Sequence, residues 1–189
     1  SFFPSKNLVC YGYGVAIFTN YDALVHKIRG ILNHGMYERY HHDVVGVNSR
    51  LDSIQAGVLK AKLPHLDTYN KARQDAARKY SLALGMNPNI WVPTICESCD
   101  CHVFHQYVIR IMNGKRDGLL EHLQAKGIPC AIYYPIPLHS QKAYTNARYK
   151  EEDFPVTNQL VKEVIALPMH TELDDEQIKF ITDAVLEFV

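Results

Sequence analysis

Lys6 follows Phe2-Phe3-Pro4-Ser5 and precedes Asn7-Leu8, so a single basic residue sits among apolar side chains and a proline. Most lysines are solvated surface groups. An ammonium held among apolar neighbours, however, gives up its proton more readily and becomes an amine able to form an imine with an aldehyde. Pro4 fixes its own φ and interrupts regular structure, which places Lys6 in a loop. A second constellation is Gly46-Val47-Asn48-Ser49-Arg50. Asn48 by its amide and Arg50 by its planar fork suit phosphate oxygens, after a glycine that lets backbone approach closely. A plain turn with Ser49 as a helix cap is the alternative. The third is Tyr133-Tyr134-Pro135-Ile136-Pro137-Leu138-His139. Two prolines keep it extended, and two phenols with an imidazole offer donors and stacking faces for a nucleotide-linked sugar. A tyrosine packed at a strand end is the rival reading.

Cys96, Cys99, Cys101, His102 and His105 offer five soft ligands within ten residues. Structural zinc sites draw two ligand pairs separated by about a dozen residues or more. The later ligands here would run into a strand that sends His102 and His105 to opposite faces. No metal site is assigned.

The elements that must position these groups follow from pattern. Tyr13 to Thr19 alternates and predicts a strand leaving the lysine loop. Asn20 reads as the N-cap of a helix over Tyr21 to His34, with Leu24, Ile28 and Ile31 on one face and Gly35 as its stop. Met36 to Ser49 reads as a polar loop. Helices follow from Asp52 to Leu63, ended by Pro64, and from His65 to Leu84, where Leu66, Tyr69, Ala72, Ala76 and Tyr80 form one stripe. The domain boundary is expected within this long helix or at the Gly85 to Pro93 loop, giving units 1–85 and 86–189. Strands at Val103 to Met112, Cys130 to Tyr134 and Glu163 to Leu167 alternate with helices at Arg116 to Lys126, Val156 to Val161 and Asp174 to Phe188. Such runs predict a small α+β domain with helices on one side of a short sheet.

Composition narrows the partners. The 189 residues carry 20 basic and 20 acidic side chains, a balance that gives no field for nucleic acid or membrane surfaces. No apolar run approaches the roughly 20 residues a bilayer requires. Five cysteines, without a leader sequence, fit reduced thiols and a cytoplasmic protein.

The run Ser1-Phe2-Phe3-Pro4-Ser5-Lys6-Asn7-Leu8, continued by Cys10-Tyr11-Gly12 and Ala16-Ile17-Phe18-Thr19-Asn20, resembles the cofactor-lysine segment of the DegT/StrS-type sugar aminotransferases. Tyr40-His41-His42, Gly46 to Asp52, Tyr133 to His139 and Leu167-Pro168-Met169-His170 match in the same order. The resemblance implies an α/β, fold-type I transferase dependent on pyridoxal 5'-phosphate, of which this chain would be the C-terminal part: the end of the large domain and a small α+β domain. Lys6 would carry the cofactor as an imine and shuttle a proton. Asn48 would contact the cofactor phosphate across a homodimer interface with shared sites. Arg50, Tyr133, Tyr134 and His139 would bind a nucleotide-sugar, with an amino-acid donor, glutamate in the family. Relatives are about twice this length, so a protein of these residues alone is expected not to transaminate. A sugar dehydratase on the same fold lacks the lysine, which Lys6 opposes, and a non-catalytic regulatory or zinc-binding fragment is the remaining alternative.

Within the lysine segment Val9 and Val15 stand where the family has glycine, and Tyr13 where it has aspartate. If either position requires φ > 0, valine is strained there by about 1 to 2 kcal/mol, and impaired cofactor uptake is the expectation.

Overall fold

In a computed structural model, which describes residues 1–95 and 101–189, the chain divides into two compact units, Ser1–Asp67 and Thr68–Val189.

The first unit opens with turns rather than a regular element and continues into residues 13–20, which pair with no strand. The expected Tyr13 to Thr19 strand is therefore not formed. The residues have the alternation but no partner: Val15, Ile17 and Phe18 stay 67%, 61% and 90% exposed. Helix α1 spans Asp22–Leu32, with Tyr21 rather than Asn20 at its N-cap. Asn33 ends it, and His34 (φ 61°) and Gly35 (φ 77°) turn the chain through the left-handed region. The polar loop contains a small antiparallel hairpin, β1 (Met36–Glu38) with β2 (His41–His42), closed through Tyr40 at φ 70°. Helix α2 spans Ser53–Lys62. Asp52 caps it, its carboxylate accepting from Ile54 N at 2.7 Å and Gln55 N at 3.3 Å. A 3-10 turn over Leu63–His65, with Pro64 in its first turn, leads to α3 at Leu66–Leu84.

The partition places α3 with the second unit rather than with the lysine segment. The cause is packing: Ala76, Ala77, Tyr80 and Leu84 belong to the core that the downstream sheet and helices form. That sheet is antiparallel in the order β3 (Ile90–Trp91), β4 (Tyr107–Ile111), β5 (Val164–Leu167). Tyr107 pairs with Leu167 and Ile109 with Ile165, so one sheet face is uniformly apolar. Leu119 and Leu123 of α4 (Arg116–Ala125) and Ile178, Ile181 and Val185 of α6 (Asp175–Phe188) join the same core. Asp174 caps α6 in a reciprocal box with Gln177, as its acid predicts. Helix α5 spans Pro155–Glu163.

Two expected strands are shortened. Phe104 at φ 42° keeps residues 103–106 out of β4. Of Cys130 to Tyr134, only Ala131 pairs, in a single bridge to Ala166. Among the described residues, no helix is long and apolar enough to cross a membrane.

Candidate active site

Lys6 lies half-buried in a loop whose base is clasped twice. Phe2 donates to Gly14 O at 2.7 Å, and Cys10 N donates to Phe2 O at 2.9 Å. The Cys10 thiol is fully buried and reaches Phe2 O at 3.1 Å and Gly12 O at 3.2 Å. Lys6 N itself donates to Phe3 O at 2.8 Å. Helix α2 steadies the far side: Gln55 Oε1 accepts from Tyr11 N at 2.7 Å, and the Lys62 ammonium sits 4.7 Å from the Tyr11 ring centroid. Neither Val9 nor Val15 has positive φ, so the strain expected of valine at those positions does not arise. Tyr13 sets its ring 5.3 Å from that of Phe3 and so adds an aromatic contact to the loop.

The Gly46–Arg50 segment is laced onto the end of α1. Val47 N donates to Ile31 O at 2.7 Å and Ser49 N to Leu32 O at 3.1 Å, so two helix-end carbonyls find partners. His34 N donates back to Val47 O at 2.9 Å. Gly46 does permit close approach, but of the chain's own backbone: a Cβ there would lie 2.1 Å from Gly35 N. Ser49 is not a helix cap, since Asp52 takes that role. Arg50 donates through Nη1 to Asn48 Oδ1 and through Nη2 to Asn33 Oδ1 at 2.8 Å. Two cavities meet at Arg50. One, of about 810 Å³, is lined by Asn48, Ser49, Arg50, Arg29 and the apolar side chains of Val15, Ile17 and Phe18. The other, of about 500 Å³, is lined by Arg29, Asn33, Ser49, Arg50, His26 and Tyr37. Lys6 lines neither.

In the second unit Tyr133 and Tyr134 are exposed, their rings 5.7 Å apart edge to face. The chain then enters a 3-10 turn over Leu138–Ser140 that carries His139. The imidazole stacks on Phe154 at 4.4 Å, and its Nε2 meets Asn158 Oδ1 at 3.2 Å. Asn158 Nδ2 donates to Glu151 O at 2.6 Å, which fixes the amide orientation. Nε2–H is therefore the donor in this contact.

The cysteine cluster falls partly on residues 96–100, outside the described residues. Cys101 is disulfide-bonded, which departs from the expectation of reduced thiols throughout. His102 Nδ1 accepts from Phe104 N at 3.1 Å, and its ring lies 4.1 Å from that of Phe104. Among the described residues no His, Cys, Asp or Glu group is arranged to hold a metal.

Sequence reading missed Asn33, Gln55 and Asn158. Their partners lie 17, 44 and 19 residues away. Polar type alone marks them, and no local spacing does.

Comparison with known proteins supplies the family context. The model for the DegT/DnrJ/EryC1/StrS aminotransferase family matches residues 1–186. The chain is 43% identical, over all of its length and 50% of the relative's, to a pleiotropic regulatory protein of Geobacillus stearothermophilus. It is 44% identical, over 98% of its length and 50% of the relative's, to a UDP-2-acetamido-2-deoxy-3-oxo-D-glucuronate aminotransferase of Pseudomonas aeruginosa. A crystal structure of an aminotransferase of this family from Brucella abortus superposes with a TM-score of 0.90 at 39% identity, covering 99% of this chain and 49% of that one. The fold is thus that of the C-terminal part of a fold-type I transferase, and the chain spans about half the length of the relatives it matches.

Proposed function

We propose, from the premise that the chain belongs to the DegT/DnrJ/EryC1/StrS aminotransferase family, that it is the lysine-bearing half of a sugar aminotransferase dependent on pyridoxal 5'-phosphate. The reaction moves an amino group from an amino acid, glutamate by the family pattern, to a keto group of a nucleotide-linked sugar. Polysaccharide or glycan synthesis would use the product. The Pseudomonas relative, whose name specifies a UDP-linked 3-oxo sugar, supports a substrate of that kind.

The clasped Lys6 loop carries this reading. A half-buried amine on a loop pinned at Phe2, Cys10 and Gly14 is held for directed attack on an aldehyde. The remaining residues fit a phosphate-bearing group, because Asn48 and Arg50 offer donors at a cavity that, among the described residues, no carboxylate lines. Pyridoxal phosphate, when bound, supplies the electron sink for charge at the substrate carbon. Lys6 would hold the cofactor through Nζ and would carry a proton at that atom. Asn48 would donate from Nδ2 to a phosphate oxygen, and Arg50 would orient the substrate. Tyr133 and Tyr134 supply stacking faces for the nucleotide-sugar, and His139 supplies its imidazole. The working unit is a cytoplasmic homodimer in which Asn48 serves the neighbouring subunit's site.

The test is Lys6→Ala in the protein as its gene encodes it. The visible absorbance that pyridoxal phosphate acquires on binding the lysine, and amino transfer from glutamate to a UDP-linked 3-keto sugar, are both expected to vanish. Retained turnover overturns the assignment.

A further inference from the structure

We infer that Asn33 is a positioning residue for Arg50, and that Arg50 so held forms with Asn48 one donor set for a phosphate oxyanion. The inference rests on the reading of Asn48 and Arg50 just given and adds to it a residue that neither motif nor spacing marks.

An arginine side chain only donates, so each asparagine atom that faces Arg50 must be the carbonyl oxygen. Both contacts are of that kind: Arg50 Nη1 to Asn48 Oδ1, and Nη2 to Asn33 Oδ1 at 2.8 Å. The contacts fix the orientation of both amides and leave Nδ2 as the uncommitted end of each. They also use two of the guanidinium's five N–H groups and leave three. What the assembly still offers is donors, with one formal positive charge at its centre. The surroundings have the same sign. Arg29 lines both cavities that meet at Arg50, and among the described residues no aspartate or glutamate lines either.

The backbone makes the arrangement stiff. Asn33 and Asn48 face one another in an isolated antiparallel bridge. Asn33 N donates to Gly30 O at 3.1 Å, and Asn33 O accepts from Met36 N at 3.1 Å. Asn33 also ends α1, so a rigid element sets its side chain. An arginine held at two nitrogens meets an anion with its side-chain entropy already spent, whereas an arginine held by one asparagine would still swing. Asn33 thus acts through Arg50.

The experiment is a double-mutant cycle in the protein as its gene encodes it, read as dissociation constants for two probes, pyridoxal 5'-phosphate and uridine 5'-diphosphate. Asn33→Ala is expected to weaken one probe about tenfold, the size of a lost hydrogen bond to a charged group. Arg50→Ala should weaken the same probe more, and adding Asn33→Ala to it should change little, because the two act as a unit. Loss confined to pyridoxal phosphate assigns the donors to the cofactor, and loss confined to the diphosphate assigns them to the substrate; either supports the inference. Equal further loss in the Arg50→Ala background, or none in Asn33→Ala alone, overturns it. If Arg50→Ala itself binds both probes normally, the functional reading of Arg50 fails instead. A thermal midpoint of Asn33→Ala near that of wild type guards against misfolding as an explanation, and Asn33→Asp keeps an acceptor for Arg50. Its added negative charge should weaken the probe at least as much as alanine does, and wild-type affinity there also overturns the inference.

Discussion

The Phe2 carbonyl holds Cys10 by two atoms, accepting the amide at 2.9 Å and the thiol at 3.1 Å. A fully buried cysteine thereby closes the loop that carries Lys6. The thiol's role is local, to satisfy carbonyls that the turn would otherwise leave open.

Cys10→Ala removes a buried sulfur and two weak hydrogen bonds. It should destabilise the protein by about 1 to 2 kcal/mol and speed exchange of the Cys10 amide. A urea midpoint equal to wild type would show that the clasp contributes nothing.

Two glycines should answer alanine in opposite ways. At Gly46 a Cβ would meet Gly35 N at 2.1 Å and Ile31 O at 2.6 Å, both backbone atoms that cannot step aside. Gly46→Ala is expected to cost on the order of 3 kcal/mol or more. Gly57, exposed in the middle of α2, has nothing within 4 Å of the added atom. Gly57→Ala should stabilise by about 0.5 to 1 kcal/mol. Thermal melts of both variants check the pair.

Arg73 is 8% exposed, and its Nη1 lies within hydrogen-bond reach of Phe104 O, His105 O and Met169 O, at 3.1 to 3.3 Å. Burial lowers its pKa. The guanidinium ties α3 to the segment before β4, where Phe104 takes its left-handed turn, and to the segment after β5. Arg73→Lys keeps the charge but loses the planar fork and should cost about 1 to 3 kcal/mol; Arg73→Ala should cost more. Denaturant unfolding measures both.

Arg110 holds Glu163 through Nε at 2.9 Å and Nη2 at 2.7 Å. Burial pushes the Glu163 carboxyl up, but hydrogen bonds from Gln159 and Arg110 and the Arg110 charge outweigh it, and its pKa falls below the ordinary 4.5. A depressed folded pKa gives stability that is present above 4.5 and is lost as pH falls through the folded value. Glu163→Gln should therefore flatten the acid limb of the stability curve, measured by urea unfolding between pH 7 and roughly pH 3.

Helices were legible because their signals are local. Asp52, Pro64 and Asp174 mark ends within a few residues of the effect, and a periodic stripe needs no partner to be seen. Strands were less so. Tyr13 to Thr19 and Cys130 to Tyr134 have strand-like side chains, yet pairing depends on a distant segment, and only Ala131 finds one, in Ala166. The β1–β2 hairpin escaped notice because its strands are two and three residues long and its turn is made by a tyrosine at positive φ. Of the proposed site residues, residue type drew attention to Lys6, Gly46, Asn48 and Arg50. It could not draw attention to Asn33, whose contact with Arg50 exists only once the chain folds.

Val15, Ala16, Ile17 and Phe18 form an apolar ribbon with no charge, no proline and, among the described residues, no backbone pairing. Such a ribbon is an open template: a second copy can pair with it edge to edge. Ile17→Lys, which places a charge in its middle as a gatekeeper, is the smallest change expected to remove that tendency.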